Sequence, residues 1–365
     1  MIDILIVYFA ISAPATPEWW TNLKPQARFR LRDEERFEDN NKASGLELAA
    51  QASIYPRVAP STEFGLELST AGTGLDSQPE SVSLSGGASN KTIALSQAYA
   101  AFDIYKEDTD SFLISAGKFH MPFRCSPMTW DLDRRPEGFY QAYEFKSLDL
   151  NWRLRLHAAQ ISADRVAPSA VDGTDLRRSW LFLEGFDLSY RVLTWIRVSL
   201  GSQYFHYYDL SERLQEISSH RGNNLRNPSV LNDLDSKFGT WESYFEISSQ
   251  QFGILTAFRT SAILNLLNKD LERGLFAEVE VGDSWKSGFF QSKISFVYVE
   301  PNASLGFFSD NEWGYNNRKA VRFSLSYFPM DQLKLGASFL IANTIQNSAF
   351  QRDQKQALAE MEYRF

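Results

Sequence analysis

Apolar and polar residues alternate with a period of two along most of this chain. From Leu148 to Ala158 the sequence runs Leu-Asp-Leu-Asn-Trp-Arg-Leu-Arg-Leu-His-Ala, with even positions apolar and odd positions polar or charged. Period two belongs to a strand with two unlike faces. Sustained over about ten residues, it matches a tilted strand crossing a bilayer better than the five or six residues usual in soluble sheets. An arginine between two leucines has to reach water. Leu148, Leu150, Trp152, Leu154 and Leu156 are therefore expected to face lipid, and Asp149, Asn151, Arg153, Arg155 and His157 a wet lumen. The same pattern sets Ala27, Phe29 and Leu31 against Arg28, Arg30 and Arg32, and Val321, Phe323, Leu325 and Tyr327 against Arg322, Ser324 and Ser326.

Read along the whole chain, the pattern predicts strands at about 26–36, 44–55, 61–70, 92–105, 110–119, 138–146, 148–158, 178–190, 192–207, 237–248, 251–263, 273–282, 287–299, 318–328, 331–342 and 356–365. Connection lengths form an independent test, since outer-membrane barrels carry short turns at one rim and longer loops at the other. Short links fall near Pro56 to Pro60, Lys106 to Thr109, Ser147, Arg191, Ser249-Gln250, Asp283 to Lys286 and Pro329-Met330. Long ones fall between them, near 71–91, 120–137, 159–177, 208–236, 300–317 and 343–355, with two shorter outward loops near Asp39 to Ala43 and Leu264 to Glu272. Aromatic pairs crowd the short links: Tyr105 and Phe112, Tyr143 and Phe145, Tyr190 and Trp195, Phe245 and Phe252, Trp285 and Phe289, Tyr327 and Phe328. They read as an interfacial girdle. The expected fold is all-β, a transmembrane antiparallel β-barrel of about 16 strands over residues 16–365.

Composition sharpens this reading. Aromatic residues make up 14% of the chain, more than a soluble core of this size buries easily but natural for a lipid-facing belt. The net charge is −8 with both signs interspersed, and no basic block tracks a phosphate backbone, which argues against nucleic-acid binding. Cys125 is the only cysteine, so neither an intrachain disulfide nor a cysteine-cluster metal site can form, and it reads as a packed loop residue. No stretch reaches the roughly 18 apolar residues of a spanning helix. At the N-terminus, the run Ile4 to Ile11 followed by Ala13-Pro14-Ala15 suits an export signal cleaved after Ala15, although Met1-Ile2-Asp3 lacks the usual leading Lys or Arg.

Two segments resemble known proteins. The chain ends on an alternating strand, Ala357 to Phe365, closing in Tyr363-Arg364-Phe365. It resembles the terminal strand of bacterial outer-membrane proteins, whose final Phe serves recognition by the assembly machinery. Ala116 to Gly138, with Ala-Gly-Lys-Phe-His-Met-Pro-Phe, then Met128-Thr129-Trp130-Asp131-Leu132-Asp133 and Arg135-Pro136-Glu137-Gly138, is similar to the segment after an early strand in a bacterial outer-membrane porin family and, more distantly, in the phosphate-selective porins. The resemblance implies a sixteen-stranded porin of the Gram-negative outer membrane, often a homotrimer, open to passive diffusion of small hydrophilic solutes and ions, with no cofactor. It also implies that the third outward loop, here 120–137, folds into the lumen. Asp131, Asp133, Arg134, Arg135 and Glu137 would then bring charge to a constriction.

Facing them would stand Arg28, Arg30 and Arg32 on one strand, Arg153 and Arg155 on another and Arg197 on a third, giving a transverse field. Inward acids at Asp103, Asp149, Glu242, Glu246, Glu278, Glu280, Glu360 and Glu362 would brace many of these bases across neighbouring strands. The arginines suggest an anion- or phosphate-type channel as the more selective alternative. Glu184, between Phe182 and Phe186, would face lipid under strict alternation and calls for a bulge beside Gly185 or a rim position. A barrel enzyme would need a nucleophile, a base and an orienting group on one face, and only His120, His157, His206 and His220 are available as histidines, without a nucleophile motif. An adhesin or soluble sandwich fits poorly with long strands joined by alternately short and long links.

Overall fold

The computed structural model describes residues 24–38, 41–71, 82–83, 92–149, 151–165, 178–227, 229–235, 237–251 and 254–365. The expected export signal at 1–15 lies outside them. Among the described residues, eighteen strands form one antiparallel sheet. In chain order they are β1 (Gln26–Glu38), β2 (Asn41–Ile54), β3 (Arg57–Ala59), β4 (Thr62–Ala71), β5 (Val82–Ser83), β6 (Thr92–Lys106), β7 (Asp110–Lys118), β8 (Glu137–Lys146) and β9 (Trp152–Arg165). The second half comprises β10 (Arg178–Leu193), β11 (Ile196–Tyr208), β12 (Gly239–Gln251), β13 (Ile254–Asn265), β14 (Arg273–Val281), β15 (Phe289–Val299), β16 (Arg318–Met330), β17 (Leu333–Thr344) and β18 (Gln354–Arg364). The two short pieces β3 and β5 lie beside β4 and β2, and the other sixteen strands make a closed barrel.

Closure is direct. β18 pairs with β1 from Arg28↔Arg364 to Glu38↔Gln354, and β1 pairs on its other side with β2 from Gln26↔Ser53 to Glu38↔Asn41. A sheet without free edges satisfies its own backbone groups, as an irregular or open sheet in hydrocarbon cannot. Alternation then sorts the side chains. Arg30 and Arg32 are 5% exposed inside, whereas Phe29 between them and the lumen's rim is 38% exposed outside. Arg155 bonds Glu144 on the lumen side while Leu156 stands exposed on the outer face. No helix among the described residues is long and apolar enough to cross a membrane.

All sixteen expected wall strands form, most within three residues of the expected ends. The largest shift is in β9, which runs on to Arg165 where the expected end is 158 and begins at Trp152 where the alternation begins at Leu148. Leu148 and Asp149 stand in a turn, in which Asp149 accepts from the Asn151 backbone N–H at 3.1 Å and the Asn151 side chain at 2.6 Å. Leu148 is thus 91% exposed on a turn instead of a lipid-facing strand residue, and Asp149 and Asn151 are turn formers instead of lumen wall; Leu150 lies outside the described residues. Asp and Asn side chains that bond their own backbone outcompete strand pairing at such positions. At the same rim Tyr105, Tyr143, Tyr190, Trp195 and Phe245 are exposed as a girdle requires, but Phe328 turns inward, fully buried against Trp285 at 5.4 Å.

Glu184 departs from expectation in the other direction. The pairing runs unbroken through it, Gly185↔His157 on one side and Glu184↔Tyr204 and Gly185↔Gln203 on the other, and the shifts in β10 lie at Ser179/Trp180 and Arg191/Leu193. No bulge rescues it: the carboxylate projects outward between Phe182 and Phe186, both exposed.

The barrel is not evenly hollow. Toward the long-loop end the lumen faces of β8 to β11 are apolar, and Tyr140, Ile161, Leu181, Leu183 and Phe205 form a buried core with Phe119, Phe123, Trp130, Leu214, Leu305 and Phe308 from outward loops that fold back in. A short helix, α1 (Glu212–His220), capped by the Ser211 hydroxyl, rides on one of these loops. Each such side chain removed from water contributes about 1.5–3 kcal/mol, enough to seat the loops on that wall. A cavity lined by charged residues remains along the opposite wall, beside β1, β16 and β18.

Candidate functional site

Loop 119–136 is held by one buried carboxylate and by aromatic packing. Glu242 on β12, fully buried, accepts from the Ser126 backbone N–H at 2.9 Å, the Thr129 hydroxyl at 2.7 Å and the Gln203 amide at 2.8 Å. Trp130 stacks on Phe308 at 4.8 Å and its indole N–H donates to the Arg134 carbonyl at 3.2 Å. The second inward loop, 300–317, locks on through the Ser304 and Ser309 hydroxyls, which donate to the Met128 carbonyl at 2.6 and 2.9 Å. Buried polar groups matched in this way fix one loop geometry instead of many.

These loops carry acids to the basic wall. On β1, Arg28 pairs with Glu362 at 2.7 Å, Arg30 approaches Asp133 at 3.9 Å, and Arg32 pairs with Glu312 at 2.7 Å and Glu360 at 3.2 Å. Arg322 on β16 reaches the same Glu312 at 2.8 Å, and Lys334 pairs with Glu360. Burial works against the charge on Glu312, but Arg32 and Arg322 outweigh it and hold its carboxyl far below the ordinary range. The space between is a cavity of about 280 Å³ whose charged lining is Arg28, Arg30, Arg32, Lys293, Arg322 and Lys334 against Glu312, Glu360 and Glu362. Six cations thus meet three anions, and one nitrogen of Arg30, Nη2, has no hydrogen-bond acceptor.

The other expected site residues are spread over several levels. Asp133 is the loop acid that faces the ladder. Asp131 does not line water: it is 5% exposed beneath loop 300–317, and burial, with Asp133 beside it, pushes its carboxyl up to about 6. Asp310, buried near it, is raised well above the ordinary value by burial and by Asp131. Arg134 lies over the Phe307 ring at 4.2 Å, and burial with Arg221 nearby lowers it to about 10. Arg135 approaches Glu67 at 3.8 Å and donates to the Leu132 carbonyl at 2.7 Å. Glu137 opens β8 on the outer face of the rim, 3.6 Å from Lys118, and so leaves the lumen altogether. Arg155 and Arg153 share Glu144 at 2.6 and 3.9 Å, lower in the wall, and Arg197 is exposed at the start of β11, near the short-turn rim.

His157 is buried, 4.1 Å from the Phe123 ring and 3.7 Å from Asp187. Its neighbours are an aromatic loop anchor and a wall acid. His120 borders a second cavity of about 340 Å³ with Glu63, Tyr99 and Asp103, and burial, helped by Arg135, lowers it to about 4.

Sequence reasoning missed Glu312, Arg322's part in holding it, and the whole inward path of loop 300–317. One signal was present. That loop reads Pro-Asn-Ala-Ser-Leu-Gly-Phe-Phe-Ser-Asp-Asn-Glu-Trp-Gly-Tyr-Asn-Asn, too apolar and aromatic for a segment left in solvent.

No family model matches the sequence, and the comparison with curated proteins gives no match. Solved structures do match. OprB of Pseudomonas putida, in its high-pH structure, superposes with a TM-score of 0.60 at 8% identity, over 95% of this chain and 95% of that chain. OmpF of Salmonella typhi, in its complex with daunomycin, gives 0.55 at 10% identity, over 94% of this chain and 98% of that chain. The likeness extends over nearly the full length of all three chains, and what it establishes is the fold: this chain is a closed sixteen-stranded barrel of the kind outer-membrane porins have.

Proposed function

We propose that the protein is a non-enzymatic passive channel for small hydrophilic solutes and ions, that it prefers anions, and that it sits in the outer membrane as a homotrimer inserted through recognition of Phe365. The observation that carries the preference is the cavity beside β1, where six cations face three anions. A pore selects by the field at its narrowest part, and net positive lining there attracts anions and repels cations. Loops 119–136 and 300–317 set the width, because they fill the apolar side of the lumen and leave the arginine side open.

Recording in planar bilayers tests both parts. Steady open steps are expected, and in asymmetric KCl the reversal potential should favour chloride. Arg30→Glu exchanges a cation for an anion in this lining and should move the reversal potential toward potassium without unfolding the barrel. Absence of steps would reject the channel, and a potassium-favouring wild type would reject the anion preference alone.

A further inference from the structure

The outer face of the barrel is apolar around most of its circumference. Leu325, Phe323 and Val321 on β16, or Leu335, Phe339 and Ile341 on β17, show the ordinary belt. One stretch of wall interrupts that rule. On β8 to β12 the outward face keeps apolar residues such as Leu156, Phe182, Phe186 and Leu200, so the rule is interrupted and not reversed: among them stand Gln141, Glu184, Ser202, Tyr204 and Ser243, while Leu181, Leu183 and Phe205 on the inward side pack against the loops. The outward side is not flat either. Small residues at Ala158 and Ser202 leave a groove of about 720 Å³ between aromatic walls supplied by Tyr143, Phe186 and Trp241, and Glu184 lies in it.

Depth makes the groove informative. With a rise of about 3.3 Å per residue and a tilt near 40°, Glu184 stands about 15 Å above Tyr190 at the girdle of the short-turn rim and about 10 Å below Trp180, near the long-loop end of the same strand. This places it within the hydrocarbon band. Among the described residues it makes no hydrogen bond or ion pair, and the strand geometry gives it no way to turn inward. Acyl chains would fill the groove yet offer the carboxyl no donor. Whatever covers it must bring donors to that depth, and only another protein does so. The groove itself carries the matching set: Glu184 accepts, and Gln141, Ser202 and Tyr204 can donate. Each copy thus carries both an acceptor and donors, so around a three-fold axis the Glu184 of one copy can meet donors on its neighbour in a heterologous contact.

We infer that the outward face of β8 to β12, centred on Glu184, is the interface through which copies of this chain associate in the membrane. The inference deepens the proposed self-association and does not depend on which ions the lumen passes. Both faces of this wall are then covered by protein, the loops inside and a neighbour outside.

The test uses the full chain in lipid nanodiscs and in planar bilayers. Gln141→Cys with Ser243→Cys, one on each side of the groove, should be joined between copies by a short bismaleimide, and Ala277→Cys with Ala359→Cys, on the opposite wall, should not. Glu184→Leu is expected to raise the monomer fraction at least several-fold at equal protein-to-lipid ratio while leaving the conductance per barrel unchanged. Cross-linking at the control pair alone would place the contact elsewhere and overturn the assignment. A Glu184→Leu protein as oligomeric as the wild type would also overturn it, pointing to lipid or a different partner in the groove. Monomers throughout, with normal open steps, would reject self-association and leave the channel standing.

Discussion

Glu242 illustrates how one residue decides the shape of the passage. Its two oxygens take three donors, two from loop 119–136 and one from Gln203 on β11, so removing it breaks three buried hydrogen bonds at once and strands the Ser126 N–H, while Thr129 and Gln203 keep the Ser126 and Arg124 carbonyls as second acceptors. Glu242→Ala should lower stability by about 3 kcal/mol or more, in line with buried polar networks that lose a shared partner. It should also turn steady channel openings noisy as the loop detaches. A quiet channel with an unchanged melting profile would show that the aromatic contacts alone seat the loop. Asp131 adds a pH dependence of definite sign. Its folded value of about 6 lies above the ordinary 3.8, so the folded loop binds the proton more tightly than the unfolded chain does. Loop packing therefore tightens as pH falls from 7 through 6 toward 4, and loosens on the way back. Glu312, held far below its ordinary value by Arg32 and Arg322, keeps its ion pairs over that window and does not oppose the trend. Channel noise should drop between pH 7 and pH 5, and Asp131→Asn should be quiet at both. The face each residue takes was readable from alternation, down to Arg30 and Leu31. What Asp131 does was not, because its burial depends on loop 300–317, far away in sequence, where the Phe308 carbonyl accepts from the Asp131 backbone N–H at 2.6 Å.

Among the elements, the strands were legible and the loops were not, for a physical reason. A strand in a membrane wall must repeat one choice, lipid or water, at every residue, so β1 or β18 declares itself in ten residues. A loop that folds inward answers to contacts more than a hundred residues away, such as Ser304 with Met128. Local chemistry also decided where β9 starts, because Asp149 and Asn151 extend the turn before it. The closing strand carries a prediction of its own. Phe365 is 68% exposed at the end of β18, touching Tyr363 at 4.6 Å, and its N–H donates to the Ala27 carbonyl at 2.9 Å. A side chain so exposed contributes little to the finished barrel. Phe365→Ala should refold in detergent with its heat-modifiable gel mobility intact and with stability changed by under about 1 kcal/mol. Delivery is where it should fail: the amount reaching the outer membrane in cells should drop several-fold. Equal delivery of both proteins would remove Phe365 from the assembly signal.

At the scale of the whole molecule, charge is arranged across the lumen and not along it. The basic wall of β1, β16 and β17 faces acids delivered by two loops, and those loops rest on the apolar inner surface of β8 to β11. In the proposed channel a solute would pass between a cationic wall and a protein plug, with the plug's position fixed by packing and the wall's field fixed by its excess of bases. Packing and field respond differently to salt. The Debye length is about 10 Å at 0.1 M and about 3 Å at 1 M, so a field acting across the passage fades with ionic strength, whereas width does not. Chloride preference measured at a fixed concentration ratio should accordingly be strongest in dilute KCl and approach the mobility ratio of the free ions near 1 M. Conductance, set by width, should meanwhile rise almost in proportion to salt. A preference that stayed constant over this range would mean that anions are chosen by contact with individual donors such as Arg30, as in a binding site, and not by the field of the wall. Saturating conductance would accompany that outcome, because a channel whose ions must bind to pass fills its site as concentration rises.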